Sequence, residues 1–101
     1  MSVRLEPMAV INKPEYLNNP EADYFDDPDF WTVDMANGTW ARMTALLTDD
    51  EREDTWNHCH DSQYYTPTQL QLIAMRLEGQ DREFFAENLN HLANEGGCIV
   101  Q

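Results

Sequence analysis

The sequence predicts an α+β fold, mainly helical, in which about four helices pack with a small two- or three-stranded sheet. Two stretches beyond residue 66 repeat apolar residues with a helical period. Two short segments, residues 30 to 35 and 98 to 101, carry the aromatic and β-branched side chains typical of strands. The 101 residues, 42% of them hydrophobic, are enough for one modest core, so we expect a single domain over residues 1 to 101.

The first part of the chain, residues 1 to 29, is predicted to be a partly irregular N-terminal arm. Its apolar run at residues 8 to 11 is short and favours one edge strand at most. Prolines and asparagines between residues 14 and 20 indicate turns. Acidic residues and a proline make residues 20 to 29 irregular, whereas residues 30 to 35 favour a strand.

The first helix is predicted over residues 38 to 47, with Asn37 as its N-cap. A helix is indicated because apolar side chains recur on one face. The residues on that face are Trp40, Met43 and Leu47.

A second helix is predicted from the capping box of Thr48 and Glu51 to about residue 60. Acidic residues in its first turn suit the positive end of the helix dipole. Its apolar face is thin and consists mainly of Trp56 and Cys59. We therefore expect this helix to be the most exposed one and to form a second acidic surface.

The third helix has the clearest start signal in the chain. After a predicted linker at residues 62 to 65, Thr66 is an N-cap, Pro67 suits the first helical position and Gln69 completes a capping box. Gly79 is expected to end the helix. The residues expected to be buried are Leu70, Ile73, Ala74 and Leu77.

The fourth helix is predicted over residues 81 to 95, and the glycines at residues 96 and 97 should end it. Its apolar face consists of Phe85, Leu89, Leu92 and Ala93. Residues 98 to 101 are too apolar to be left in water, so we expect a short strand there. This strand should pair with residues 30 to 35 or with residues 8 to 11.

The charge of the chain limits the partners that it can have. Nineteen Asp and Glu residues against six Lys and Arg residues give a formal net charge of -13. Because proteins that bind nucleic acid collect positive charge, we expect no direct nucleic-acid binding, and anionic membranes are disfavoured for the same reason. The expected partner is a basic protein or ribonucleoprotein, and homodimerisation is left open.

The expected location is the cytoplasm of a host or infected cell. Arg4, Glu6 and Pro7 interrupt the start of the chain, so it lacks the apolar region of a signal peptide, and no apolar run is long enough to span a bilayer. Two cysteines, Cys59 and Cys98, suit reduced thiols better than a disulfide framework.

The most informative stretch is residues 20 to 34, which we call the acidic aromatic segment. It interleaves six carboxylates with four aromatic rings, and the chain has no Lys or Arg from residue 14 to residue 41. Large rings among so many charges indicate either an interface with a basic partner or anchors that reach the core. With the second acidic surface, the predicted partner-binding residues are Glu21, Asp23, Tyr24, Phe25, Asp26, Asp27, Asp29, Trp31, Asp34, Asp49, Asp50, Glu51, Glu53 and Asp54.

Neither a metal nor another cofactor is expected. No window has the donors, glycine and glutamate of an EF-hand loop at the required spacing. His58, Cys59, His60 and Asp61 are a compact set of metal-capable side chains. Within the predicted second helix, however, His58 and His60 would point to nearly opposite faces. A small metal-binding regulator remains an alternative.

Residues 98 to 101 match the C-a-a-X pattern for prenylation at Cys98. The usual upstream basic residues are absent, and Asn94 and Glu95 stand in their place. An added lipid would have to hold a strongly acidic protein on an anionic surface. A lipid-anchored regulator therefore remains an alternative, and the modification of Cys98 is left open.

No known catalytic motif is present. The chain lacks a G-x-S-x-G elbow, a phosphate-binding glycine loop, an H-E-x-x-H motif and a cysteine with an identifiable base. Carboxylates are too numerous for a catalytic pair to stand out. The sequence therefore favours a protein that is not an enzyme.

In size, charge and layout the whole chain resembles small anti-defence proteins of phages and mobile elements, the anti-restriction and anti-CRISPR inhibitors, several of which mimic DNA. The start of the first predicted helix, residues 37 to 40, and the ending at residues 96 to 100 also look like features of small phage-type proteins. The resemblance implies a non-enzymatic inhibitor that binds the basic nucleic-acid surface of a defence nuclease or CRISPR complex by phosphate mimicry. The alternative is an immunity protein or antitoxin that neutralises a basic toxin.

Overall fold

The computed structural model describes residues 2–19, 21, 23–52, 56–59 and 62–101. Its strands are β1 (Ser2–Pro7), β2 (Val33–Ala36), β3 (Trp56–Cys59), β4 (Ser62–Tyr65) and β5 (Cys98–Val100). Its α-helices are α1 (Met8–Ile11), α2 (Pro14–Leu17), α3 (Asn37–Thr44), α4 (Asp49–Arg52), α5 (Pro67–Leu77) and α6 (Ala86–Asn94). Two short 3-10 helices cover Tyr24–Asp26 and Glu83–Phe85. Among the residues described, no helix has the length and apolar character needed to cross a membrane.

The five strands form one antiparallel sheet in the order β2-β1-β5-β4-β3. The predicted α+β class is confirmed, although the sheet is larger than the predicted two or three strands. In the register Leu5 lies opposite Val33 and Val100, and Glu6 lies opposite Ile99. Because neighbouring side chains on a strand alternate between faces, these pairs define the two faces of the sheet.

One face of the sheet packs against the longer helices and forms the main core. Leu5, Val100 and Tyr65 contribute from the strands. The helices contribute Met43, Leu70, Ile73, Leu77, Leu89 and Leu92, which are almost completely buried. Burial of these side chains stabilises the fold by about 1.5–3 kcal/mol each relative to exposure. We call this side the helical face.

The other face carries a smaller apolar cluster of Met8, Ile11 and Ile99, against which Tyr24 and Tyr64 pack. Tyr24 belongs to the acidic aromatic segment, so part of that segment covers this side of the sheet. We call this side the second face. The two faces of the sheet are therefore covered by different parts of the chain. The longer helices pack on the helical face, and Tyr24 of the acidic aromatic segment packs on the second face.

The third and fourth predicted helices are confirmed, with the fourth beginning as a 3-10 turn. At the start of α5 the backbone N of Gln69 donates to Thr66 Oγ1 at 3.2 Å, and the backbone N of Thr66 donates to Gln69 Oε1 at 2.8 Å, which is the expected capping box. Helix α6 ends before Gly96 and Gly97, which adopt positive φ. Phe85, however, lies in the 3-10 turn before α6 and is only partly buried.

The first predicted helix is present as α3 and is shorter than expected. Asn37 is not its N-cap, because Ala36 occupies that position and Asn37 is the first helical residue. The reason is that β2 passes directly into the helix, so the last strand residue provides the extended backbone that an N-cap needs.

The second predicted helix is wrong beyond its first turn. The Thr48 and Glu51 capping box forms, with the backbone N of Thr48 donating to Glu51 Oε1 at 2.7 Å, but α4 ends at Arg52 and residues 56–59 form β3. The predicted linker at residues 62 to 65 is strand β4. The thin apolar face of the predicted helix could not hold it, whereas pairing of β3 with β4 supplies backbone hydrogen bonds for both segments.

The secondary structure predicted for the start of the chain is also corrected. Residues 8–11 form α1 rather than an edge strand, and residues 2–7 form β1 near the middle of the sheet. Strand β5 pairs with β1 and β4, and not with residues 30 to 35 or 8 to 11. The strand expected at residues 30 to 35 is β2, which begins at Val33.

Candidate functional site

The acidic aromatic segment folds into a 3-10 turn that its own carboxylates stabilise. Asp23 Oδ1 accepts a hydrogen bond from the backbone N of Phe25 at 2.9 Å and so caps the turn Tyr24–Asp26. Two residues later, Asp27 Oδ1 accepts from the backbone N of Asp29 at 2.8 Å. Residues 23 to 29 therefore form a defined turn with a set of outward side chains.

Asp27 anchors the segment to α2. Only 8% of this residue is exposed. Its Oδ2 accepts from the Tyr16 hydroxyl at 2.6 Å and from Lys13 Nζ at 2.9 Å. These hydrogen bonds, with that from the backbone N of Asp29, lower the pKa of Asp27 to about 2, while Tyr16 has its pKa raised to about 12. Asp27 thus holds the segment in place rather than facing a partner.

Glu6 of β1 forms a second anchor on the second face of the sheet. Its side chain is fully buried, and its Oε1 accepts from the Tyr24 hydroxyl at 3.1 Å and from Gln101 Nε2 at 2.9 Å. Its Oε2 is buried with no hydrogen-bond donor among the described residues. Burial raises the pKa of Glu6, since the charged form loses water there. Tyr24 is thus fixed at both its hydroxyl and its ring.

The sequence left open whether the aromatic rings of the segment are interface residues or core anchors, and the structure contains rings of both kinds. The Tyr24 and Phe25 rings stack at a centroid distance of 4.7 Å, and Phe30 lies 5.1 Å from Phe25. Trp31 turns to the helical face and stacks on His91 of α6 at 4.5 Å. Tyr24, Phe30 and Trp31 are partly buried, whereas Phe25 is 47% exposed. Phe25 is the ring of this segment that is available to a partner.

The remaining carboxylates of the segment face solvent. Asp29 is exposed and shares Lys13 with Asp27, at a distance of 3.1 Å from Lys13 Nζ. Asp34 lies on β2 with an exposed contact to Arg4 at 3.7 Å. The carboxylates that are exposed and have no ion pair within the described residues are Glu21, Asp23 and Asp26. These three surround Phe25 in sequence.

The second acidic surface is smaller than the sequence suggests. In α4 the Glu51 carboxylate forms two hydrogen bonds with the Arg76 guanidinium, one of them at 2.8 Å, and these bonds are the main reason that its pKa is lowered to about 2. Asp50 is exposed, and Asp49 lies 3.6 Å from Arg52. The predicted residues Glu53 and Asp54 lie outside the described residues.

The two acidic surfaces are built on different sides of the sheet. Helix α4 packs on α5 through Gln69, whose Nε2 donates to the Glu51 carbonyl at 2.9 Å, and through Arg76, whose guanidinium donates to the Glu51 carboxylate at 2.8 Å. Residues 23 to 27 are instead fixed to the second face through Tyr24 and Glu6. Among the residues that the structure describes, the two sets of carboxylates are therefore attached to different sides of the sheet.

The prenylation pattern falls on a residue that the fold buries. Cys98 is fully buried in β5 between β1 and β4, and burial raises the pKa of its thiol. A lipid could reach the Cys98 sulfur only if the end of the sheet opened, because the thiol has no contact with solvent.

Within the metal-capable set at residues 58 to 61, His58 and Cys59 lie in a strand and not in the predicted helix. Residues 56–59 form strand β3, so His58 does not project from a helix face. The side chains of this set lie outside the described residues. Within the described part of the chain, no group of three His, Cys, Asp or Glu side chains is placed to hold a metal ion.

Sequence reasoning missed the groups that fix the acidic aromatic segment. Lys13, Tyr16 and Glu6 hold it from α2 and β1. One signal was present: Lys13 is the last cation before a long stretch without Lys or Arg, and a buried carboxylate in that stretch needs a counter-ion.

Comparisons with known protein families, with curated proteins and with solved structures found no match to this chain.

Proposed function

We propose that this protein is a non-enzymatic inhibitor that binds a basic protein surface through its acidic aromatic segment. The observation that supports this best is the exposed ring of Phe25 on a fixed turn, with the unpaired carboxylates of Glu21, Asp23 and Asp26 beside it. Unpaired surface carboxylates attract Arg and Lys, and an exposed aromatic ring is a typical interface anchor.

The anchors at Asp27 and Tyr24 support the proposal because they order the turn before a partner arrives. Lys13 and Tyr16 hold Asp27, and Glu6 holds Tyr24. A binding segment that is already ordered loses less conformational entropy on association. The charge of -13 would speed the encounter with a basic partner, and burial of Phe25 would slow dissociation.

Within this class, we propose the basic nucleic-acid surface of a defence nuclease or CRISPR complex as the target. The support is the resemblance in size and charge to small anti-defence proteins, together with carboxylates that are free to take the place of phosphates. Such a surface is rich in Arg and Lys, which pair with carboxylates and phosphates by the same hydrogen-bond geometry.

The test is an affinity pull-down from host lysate, eluted with a salt gradient. The segment variant is Glu21→Lys with Asp26→Lys, because neither carboxylate holds the fold together. The matched control is Glu78→Lys with Glu87→Lys, which changes the net charge by the same amount at two exposed positions, the C-cap of α5 and the first turn of α6. The segment variant leaves Asp23 and Asp27 intact, since they cap and anchor the turn.

We expect a basic nuclease or ribonucleoprotein to elute at raised salt from the wild-type chain. The segment variant should bind it roughly tenfold more weakly or worse, and the control variant should bind nearly as well as wild type. Equal losses in the two variants would show that net charge rather than the segment causes binding. Recovery of only a salt-insensitive, neutral partner would overturn the proposal.

A further inference from the structure

Two arginines of this acidic protein have no carboxylate partner among the described residues. Four of the six cations form ion pairs, which are Arg4 with Asp34, Lys13 with Asp27, Arg52 with Asp49 and Arg76 with Glu51. The other two, Arg42 and Arg82, have no ion pair with any described residue. With nineteen carboxylates in the chain, two free guanidiniums close together are unusual and point to an anionic ligand.

Arg42 and Arg82 line the same groove. Arg42 lies in the last turn of α3, and Arg82 directly precedes the 3-10 turn Glu83–Phe85. The groove between them has a volume of about 380 Å³, and Met35, Ala36, Phe84 and Phe85 supply its apolar part. Asp81 also lines it, without an ion pair to either arginine.

Phe84 makes this groove apolar where it meets solvent. Phe84 is 68% exposed, and the centroid of its ring lies 4.3 Å from the centroid of the Phe85 ring. Exposed phenylalanine is costly in water, by about 1.5–3 kcal/mol relative to full burial. A groove that is lined by apolar side chains and by two guanidiniums without an ion pair is complementary to an apolar side chain that is flanked by carboxylates.

The chain itself contains a segment of that chemistry. Phe25 is exposed, and the exposed carboxylates of Asp23 and Asp26, which form no ion pair with a described residue, lie on either side of it in sequence. This segment cannot enter the groove of its own chain, because Tyr24 is bound to Glu6 on the second face of the sheet, whereas Met35 of the groove belongs to the core on the helical face. A second copy can supply it.

We propose that the Arg42 and Arg82 groove binds the acidic aromatic segment of a second copy of this chain. Phe25 of one copy packs against Phe84 of the other, and the carboxylates of Asp23 and Asp26 face the two guanidiniums. Where two such contacts close around a two-fold axis the product is a dimer, and otherwise it is an open chain. Because two copies of charge -13 repel at long range, the contact requires enough salt to screen that repulsion.

The test uses one variant for each side of the contact. The groove variant is Arg42→Glu with Arg82→Glu. In this test the segment variant is Phe25→Ser with Asp26→Lys, which differs from the one used for the pull-down. Sedimentation equilibrium at moderate salt measures the average mass, and circular dichroism checks that each variant folds. The control is Glu78→Lys with Glu87→Lys, which changes charged residues outside both surfaces.

We expect the wild-type chain and the control to exceed the monomer mass of 11.8 kDa as concentration rises. Each variant alone should remain a monomer, because every contact would lack one side. A mixture of the two folded variants should form a one-to-one complex, since the segment of the groove variant meets the intact groove of the segment variant. A monomeric wild type, a variant that still self-associates, or a mixture that stays monomeric would each overturn the proposal.

This inference uses the same exposed ring as the proposed function but does not rest on it. Self-association is measured with purified chain alone, whereas the proposed function is tested by capture of a basic partner from host lysate. A protein that captures its partner and stays monomeric would refute only the second-copy contact. A protein that self-associates but captures no basic partner would refute only the proposed function.

Discussion

Replacement of Gly97 by alanine tests the arrangement of strands that holds the acidic aromatic segment. Gly97 has a φ of 98° and directly precedes β5, which lies between β1 and β4. A Cβ at this position would overlap the backbone carbonyl oxygen of Tyr65 in β4 and would come within 3.1 Å of the Tyr64 ring. The backbone of Tyr65 is held by the pairing of β4 with β5, so it cannot move aside cheaply.

The expected cost has two parts. A non-glycine residue at positive φ costs about 1–3 kcal/mol. Forcing an extra carbon into a closely packed contact costs about 1–3 kcal/mol more. The Gly97→Ala change should therefore lower the free energy of unfolding by about 2–6 kcal/mol, which is a large part of the roughly 5–15 kcal/mol of a typical domain.

Alanine substitutions at two other glycines distinguish the cost of positive φ from the cost of steric overlap. Gly79 has a φ of 81° with open space around it, so Gly79→Ala should cost only the backbone part, about 1–3 kcal/mol. Gly38 lies in α3 without positive φ and with open space, so Gly38→Ala should stabilise the protein by about 0.5–1 kcal/mol.

Urea unfolding, followed by far-UV circular dichroism and by tryptophan fluorescence, gives the three free energies. The expected order of stability is Gly38→Ala, wild type, Gly79→Ala and then Gly97→Ala. If Gly97→Ala is no less stable than Gly79→Ala, the close approach of β4 to the Gly97 backbone does not exist, and the placement of β5 is refuted.

Two further predictions concern charge. Added salt should raise the melting temperature by screening the self-repulsion of a chain of charge -13, and a melting temperature that is flat or falls from low to moderate NaCl would contradict this. The pKa of Asp27 is about 2 in the folded chain against an ordinary value of 3.8, so the charged form stabilises the fold. Relative to Asp27→Asn, the wild type should therefore be more stable above about pH 4 and lose that advantage as the pH falls to about 2. Parallel stability curves for the two proteins would contradict the role of Asp27 as an anchor.

Local signals in the sequence were sufficient for part of the fold. The start of α5 was predicted because Thr66, Pro67 and Gln69 act within one helical turn, and the end of α6 was predicted because Gly96 and Gly97 can adopt positive φ. The same local reasoning found the capping box of Thr48 and Glu51. It failed after Arg52, because a helix start says nothing about how far the apolar face of the helix will extend.

The strand pairing could not be predicted in the same way. Strand β1 lies next to β5 although their sequences are more than ninety residues apart, and β5 could have paired with several short segments of similar composition. Pairing depends on which side chains can be buried together on each face, as Leu5 and Val100 are on the helical face. No local pattern carries that information.

By itself the sequence determined the α+β class, the two long helices and a surface with far more acid than base. The tertiary structure decided which charges are available. Asp27 and Glu51 are bound to Lys13 and Arg76, whose positions depend on long-range packing. Phe25, unlike Trp31, is left exposed for the same reason. Charge is a sum over residues and can be counted, whereas pairing and burial depend on distances that only the folded chain sets.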